Sequence, residues 1–187
     1  MIRFLATVLG LLALMLLHDS RRLARMDGAG NMITLDNQAR DQWDQARIAG
    51  GRHMLRQAQA LNSPGPYQIQ AAISALHAAG ASHETTDWHE ITRLYGQLYA
   101  LQPSPVIALN GAVALSFADS PTADLAALAG LNDDGALARY QPYHAARADL
   151  LRRAGQFDDA ATAYGQALKY TTNEAERRFL QGRLDSL

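Results

Sequence analysis

The sequence predicts an all-α chain, an array of antiparallel helix pairs, and three observations carry that expectation. Helix starts and stops recur along the whole length, and alternating strand patterns are almost absent. Apolar residues make up 48% and charged residues 19%, which supplies a continuous core and excludes a disordered polymer. At 187 residues the chain is near the usual size of one domain. The expected layout is a single helical domain over residues 1–187 with about nine helices: an N-terminal pair in 1–61, middle helices in 62–140, and the best-formed repeat plus a C-terminal helix in 141–187.

The first helix is predicted over residues 2–25, ended by Asp27-Gly28-Ala29-Gly30-Asn31, because Gly and Asn accept the positive φ of a stop. Residues 4–17 are apolar except for Thr7, with Arg3 before them and Arg21 and Arg22 after. A run of this length is more often a core helix than a membrane span, and residues 18–22 offer no small-x-small cleavage site. The run is therefore expected inside the domain, as a soluble core helix and not an anchor; if exposed instead, it would favour a homodimer through this helix. Met32-Ile33-Thr34-Leu35 is the one strand-like piece. Asp36 or Asn37 then caps a second helix carrying Trp43, Ala46, Met54, Ala58 and Leu61, broken by Ser63-Pro64-Gly65-Pro66.

The third helix starts near Pro66, where a missing N–H is harmless, with Ile69, Ile73 and Leu76 as its apolar stripe and Gly80 as its end. Asp87-Trp88-His89-Glu90 reads as a capping box that opens a helix turning Trp88, Ile91, Tyr95 and Leu98 inward. Ser104-Pro105 starts a fifth helix with Val106, Leu109, Val113 and Phe117 on one side, and Ser120-Pro121 a short sixth stopped by Gly130. Helices over 143–154 and 158–170 follow, parted by Gly155. Asn173 with Glu176 forms a capping box before Phe179, Leu180, Leu184 and Leu187. Short connections predict antiparallel neighbours.

Residues 154–168 carry Gly155, Phe157, Ala160, Tyr164 and Ala167-Leu168 at the offsets of a tetratricopeptide repeat. Gly155 is expected to turn the chain, Ala160 to let two helices approach, and Phe157 and Tyr164 to fill the contact with the next helix. Pro103 stands where such a repeat closes, and Thr172 lies close to two periods of about 34 residues further on, without the proline. The expected architecture is thus a tetratricopeptide-like superhelix.

Several stretches in order are more specific than any one motif: GLLALMLLHD (10–19), GPYQIQAAI (65–73), TDW (86–88) with LY (94–95), SPVIALN (104–110), AARADLLRR (145–153) and ERRFL (176–180). Together they resemble the C-terminal extension of a large group of bacterial extracytoplasmic-function sigma factors, over nearly the whole chain from Gly10. The resemblance implies a tetratricopeptide-like module that stands behind two promoter-reading sigma domains. Those domains have no counterpart here, so promoter recognition is carried over to no residue. The implied function is a non-catalytic, cytoplasmic protein-interaction and regulatory module in the control of transcription initiation. Its implied partners are sigma-factor domains, RNA polymerase or a regulator. A stand-alone scaffold and a membrane-anchored adaptor unrelated to transcription are the alternatives.

Charge and motif content bound the chemistry. The net charge is -1, and residues 61–143 hold two basic and seven acidic groups, a balance that repels phosphate and argues against direct nucleic-acid binding. Without Cys there are no thiolate metal sites, disulfides or Cys nucleophiles. His83-Glu84-Thr85-Thr86-Asp87 comes near a zinc-protease motif, but Asp87 stands where the second His belongs. His18, His53, His77, His89 and His144 are scattered, and Ser20, Ser74 and Ser116 lack a nucleophile elbow. No catalytic residue, metal ligand or cofactor is expected, and a small metal-dependent helical hydrolase is the least favoured reading.

The candidate partner-binding residues are polar positions in the family-like stretches. Tyr67, Gln70 and His77 lie on one side of the third helix, where buried hydrogen bonding is the competing explanation. Asp149, Arg152 and Ala145 fall at positions that line the concave groove in this repeat class, Asn110 stands 35 residues before Ala145, and Arg153 is the neighbouring candidate, with a solvated helix end as the competing explanation for Arg152 and Arg153.

Overall fold

The computed structural model describes residues 1–119, 125, 128, 130–131 and 135–187. Among these residues there are eight α-helices and no strand: α1 (Ile2–Asp19), α2 (Gln45–Ala60), α3 (Pro66–His77), α4 (Trp88–Leu101), α5 (Pro105–Ala118), α6 (Gln141–Arg153), α7 (Phe157–Tyr170) and α8 (Glu174–Asp185). The expected all-α array is what forms. Of the short helix expected from Ser120-Pro121, only Leu125, Leu128 and Gly130 are among the described residues, and they are helical. Contacts divide the chain into two compact units, residues 1–27 with 33–103, and residues 28–32 with 104–187.

In the first unit α1 packs against α2 and α3, and α3 against α4. α1 stops at Asp19, six residues before the expected end. Ser20 turns its hydroxyl back onto the Leu17 carbonyl at 2.7 Å, and its own carbonyl accepts the Asp44 N–H at 2.9 Å. The chain continues as a 3-10 turn, Arg22–Arg25. The strand-like reading of residues 32–35 is corrected: Leu35–Asn37 and Arg40–Gln42 are 3-10 turns.

Asp36 and Asn37 do not cap α2 either. Asn37 instead donates to Thr34 Oγ1 at 2.9 Å, and the cap is Asp44, whose carboxylate accepts the Arg47 N–H at 3.0 Å. The late start moves the buried stripe of α2 to Ile48, Gly51, Leu55 and Ala58; Ala46 is exposed, and Met54 packs half-buried against the core. Trp43 is buried in the core ahead of the helix, with Ala13, Leu17, Ile48, Leu55 and Ala71.

Residues 4–17 do not sit wholly inside, which overturns the expectation of a buried core helix. Only the stripe Ala6, Gly10, Ala13 and Leu17 is buried. Phe4 is 75% exposed and Met15 60%, with Leu5, Val8, Leu11 and Leu12 also in solvent. The reason is geometric. Small side chains on one side let α1 lie close on its neighbours, and a helix seated on so narrow a stripe leaves the larger part of its circumference uncovered.

Two helix starts in this unit follow their signals. Pro66 opens α3 at its first turn, and Asp87 accepts the Glu90 N–H at 3.0 Å to open α4. The second half of that capping box is replaced, because the Glu90 carboxylate takes the Arg93 guanidinium at 2.6 Å. α4 buries Ile91, Leu94 and Leu98.

In the second unit α5 packs on α6, α6 on α7, and α7 on α8. Leu109, Leu137, Tyr143 and Leu150 form one buried cluster, and Ala148, Leu151, Ala160, Ala163, Tyr164, Ala167 and Leu180 another. α5 buries Leu109, as expected, together with Ala112, Ala114 and Ser116; Val113 is half-buried against the same cluster, whereas Val106 is exposed. Asn173 caps α8 by accepting the N–H groups of Ala175 and Glu176 at 2.9 and 3.2 Å. The Glu176 carboxylate accepts from the Thr171 hydroxyl at 3.3 Å, where the capping box would return it to the Asn173 backbone.

Candidate protein-interaction site

The hairpin of α6 and α7 shows how residues 154–168 act locally. Gly155 has φ +75°, the left-handed conformation that costs an L side chain about 1–2 kcal/mol. Its N–H bonds the Arg152 carbonyl at 3.0 Å, and the Gln156 N–H bonds the Leu151 carbonyl at 2.9 Å. This pair of bonds is a Schellman stop. Ala160, Ala163 and Ala167 are fully buried, and Tyr164 is buried beside them, so small residues allow the close approach and the ring fills the remaining space. Phe157 does not join it. That ring is 52% exposed: it stands at the first residue of α7, seven residues before Tyr164 and on the same side of the helix.

Of the four candidate residues in this unit, Asp149 and Arg152 meet, with Arg152 donating to the carboxylate at 2.8 Å. That bond holds the Arg152 guanidinium above its ordinary pKa. Burial, then the Asp149 charge, pushes the Tyr164 phenol up, and its hydrogen bond with Arg152 works against both. These three side chains form one polar seam on the hairpin. Arg153 is engaged elsewhere: it donates to Ser116 Oγ at 3.0 Å and to the Ser116 carbonyl at 2.8 Å, with its guanidinium 4.3 Å over the Phe117 ring. It ties α5 to α6 and is neither a solvated helix end nor a free contact residue. Asn110 is exposed on α5.

In the first unit Tyr67 is exposed and Gln70 half-buried. His77 lies deeper. Its ring meets Trp88 edge-on at 5.2 Å, its carbonyl accepts from Arg40, and its Nδ1 is buried with no hydrogen-bond partner among the described residues. Burial, followed by the charges of Arg21 and Arg40, pulls its pKa down to about 3. The buried glutamine of α3 is not Gln70 but Gln68, which donates to the Ser63 carbonyl at 3.1 Å. It lies against Gly10 of α1, a neighbour that no spacing within α3 reveals.

Two further surfaces were not legible in the sequence. A cavity of about 540 Å³ opens between α2, α3 and α4, walled by Leu55, Ala58, Ile69, Ala72, Leu76 and Leu94, with the Glu90–Arg93 pair on its lining. The other is the bare face of α1, and α1 is the one helix among the described residues that is long and apolar enough by length and composition to cross a membrane. No group of three His, Asp or Glu side chains that could hold a metal ion occurs among the described residues.

Comparison with known proteins adds two findings. Residues 2–59 match a family of unknown function, DUF6596. The matched segment spans α1 and nearly all of α2. Over 180 residues the chain is 43% identical to an uncharacterised protein of Rhizobium meliloti (strain 1021), a similarity that takes in 96% of this chain. The chain spans 42% of the length of that relative. No solved structure matches.

Proposed function

We propose that this chain is a non-catalytic protein-interaction module of the kind appended to bacterial extracytoplasmic-function sigma factors. In this reading it acts in the cytoplasm and holds sigma-type domains, RNA polymerase or a regulator, without contacting promoter DNA itself. The six ordered stretches from residue 10 to residue 180 support the family, and DUF6596 is compatible with a domain associated with sigma factors. The observation that carries the interaction half is the outer face of α1, where Phe4, Leu5, Val8, Leu11, Leu12 and Met15 stand in solvent on one helix. A contiguous apolar surface of this kind marks a contact site more often than a bare surface. The acidic stretch 61–143 supports the absence of DNA contact.

The test is a pull-down of separately supplied sigma domains, run beside a DNA gel shift, with the wild type and the triple variant Phe4→Gln, Leu11→Gln, Met15→Gln. All three positions are exposed, so each change should alter stability by less than about 0.5 kcal/mol. The wild type captures sigma domains at micromolar concentration, the variant does not, and neither shifts DNA. Salt-sensitive DNA binding, or capture unchanged by the triple variant, overturns the proposal. A membrane-anchored adaptor is the second reading, favoured by the length and apolarity of α1. Flotation of the wild type, but not the variant, with phosphatidylcholine vesicles would favour it.

A further inference from the structure

The first unit contains a group of cations that nothing above uses. Arg40 stacks its guanidinium 4.3 Å from the centre of the Trp43 ring, and Arg21 places its own 5.5 Å from the same ring. Arg40 also donates to the His77 carbonyl, which brings α3 to the same spot. Among the described residues neither arginine has a carboxylate within ion-pair distance. The exposed Glu84 acts on Arg40 only through space. Burial, then the charges of Arg25 and Arg40, brings Arg21 down to about 10.

Arg40 Nη2, Trp43 Nε1 and His77 Nδ1 are all buried without a partner among the described residues. The first two are obligate donors, and the third is a donor in one tautomer. Buried donors in native proteins are nearly always satisfied, and an ion or water is the usual explanation where the protein supplies no acceptor. Buried donors on Arg40 and Trp43, a third on His77 in one tautomer, and the Arg21 guanidinium beside them call for an acceptor that carries negative charge and more than one oxygen. Trp43 itself is 3% exposed, whereas Arg21 and Arg40 each keep part of their surface in solvent, so the cluster can be reached from outside.

We propose that Arg21, Arg40, Trp43 and His77 form an oxyanion-binding site that takes a phosphate or carboxylate group. The site is separate from the α1 face and stands or falls independently of the sigma-factor reading. Both tryptophans of the chain, Trp43 and Trp88, border it, which makes intrinsic fluorescence its natural reporter.

The experiment titrates the full chain with sodium phosphate, and separately with sodium acetate, against sodium chloride at matched ionic strength and pH 7. Tryptophan emission and the thermal midpoint are followed. A saturable emission change with a rise in midpoint is expected for at least one oxyanion and not for chloride. Response to phosphate alone assigns a phosphate-type ligand, and response to both assigns oxyanions in general. Arg21→Gln and Arg40→Gln should each weaken binding about tenfold or more, the equivalent of one lost charge-assisted contact, while Arg3→Gln leaves it unchanged. Arg40→Gln also removes the bond to His77, so circular dichroism first checks its fold. If that variant is unfolded, Arg21→Gln decides alone. No saturable response to either oxyanion, or an unchanged response in Arg21→Gln, overturns the proposal.

Discussion

Gly50 and Gly51 stand side by side in α2 yet should respond differently to the same substitution. A Cβ at Gly51 would lie 2.7 Å from Leu17 Cγ and 3.2 Å from the Ala13 carbonyl oxygen, both on α1. Leu17 is 2% exposed, and the atoms met are a branch carbon and a backbone oxygen, so neither can swing away and the helices must part. A Cβ at Gly50 would meet only Leu16 Cδ1, at 3.7 Å, an ordinary contact. Replacing Gly by Ala inside a helix contributes roughly 1 kcal/mol at either position. Overpacking a close-packed contact costs roughly 1–3 kcal/mol.

The expected result is that Gly50→Ala stabilises by about 1 kcal/mol, while Gly51→Ala is neutral to destabilising by about 2 kcal/mol. The helix-propensity contribution cancels between the two, and the remaining difference of about 1–3 kcal/mol is the clash alone. Urea denaturation followed by tryptophan emission measures it in the right place, because both tryptophans lie in the first unit. With a denaturant slope of roughly 1–3 kcal/mol/M, the two midpoints should differ by on the order of 1 M. Equal midpoints would refute the close seating of α1 on α2.

Three further expectations follow from single contacts. Arg153→Ala removes both bonds to Ser116 and the contact with Phe117 and should cost about 2 kcal/mol. Circular dichroism in urea measures that loss, and Arg153→Lys should recover only part of it; a loss below about 0.5 kcal/mol would show that the α5–α6 tie is not stabilising. Gly155→Ala should cost about 1 kcal/mol or more at its left-handed φ of +75°, and Gly155→Asn less, read from the same transition. His77 titrates near 3 in the folded chain against an ordinary 6.5, so between those values the unfolded chain binds a proton that the folded chain does not. Stability should therefore fall as pH drops from 6.5 toward 3. His77→Gln should flatten that slope, leaving the share of His18, which burial also pulls down, and at the acid end that of Asp44, Glu84 and Glu90, whose carboxyls hydrogen bonds hold low. An unchanged slope between pH 7 and pH 5 would contradict the burial of His77.

The sequence by itself determined the elements whose causes are local. Pro66, Pro105, Asp87, Asn173 and Gly155 act within one turn of the chain, through a fixed φ, an accepted N–H or a permitted positive φ. The starts of α3, α4, α5 and α8 and the stop after α6 were therefore readable in residue order. Tertiary structure alone decided what depends on distant partners. Asp44, and not Asp36, opens α2 where the chain is also held by the Ser20 carbonyl. The apolar run 4–17 buries only its small-residue stripe, because the area available on α2 and α3 sets how much of a helix can be covered, and periodicity cannot supply that. Gln68 instead of Gln70 is buried because Gly10 leaves room for it. Arg153 is a tie instead of a surface charge because Ser116 comes within reach from another helix. The meeting of Arg21 and Arg40 over Trp43 beside His77 joins three segments of the chain, and a sequence pattern carries no term for such a distance.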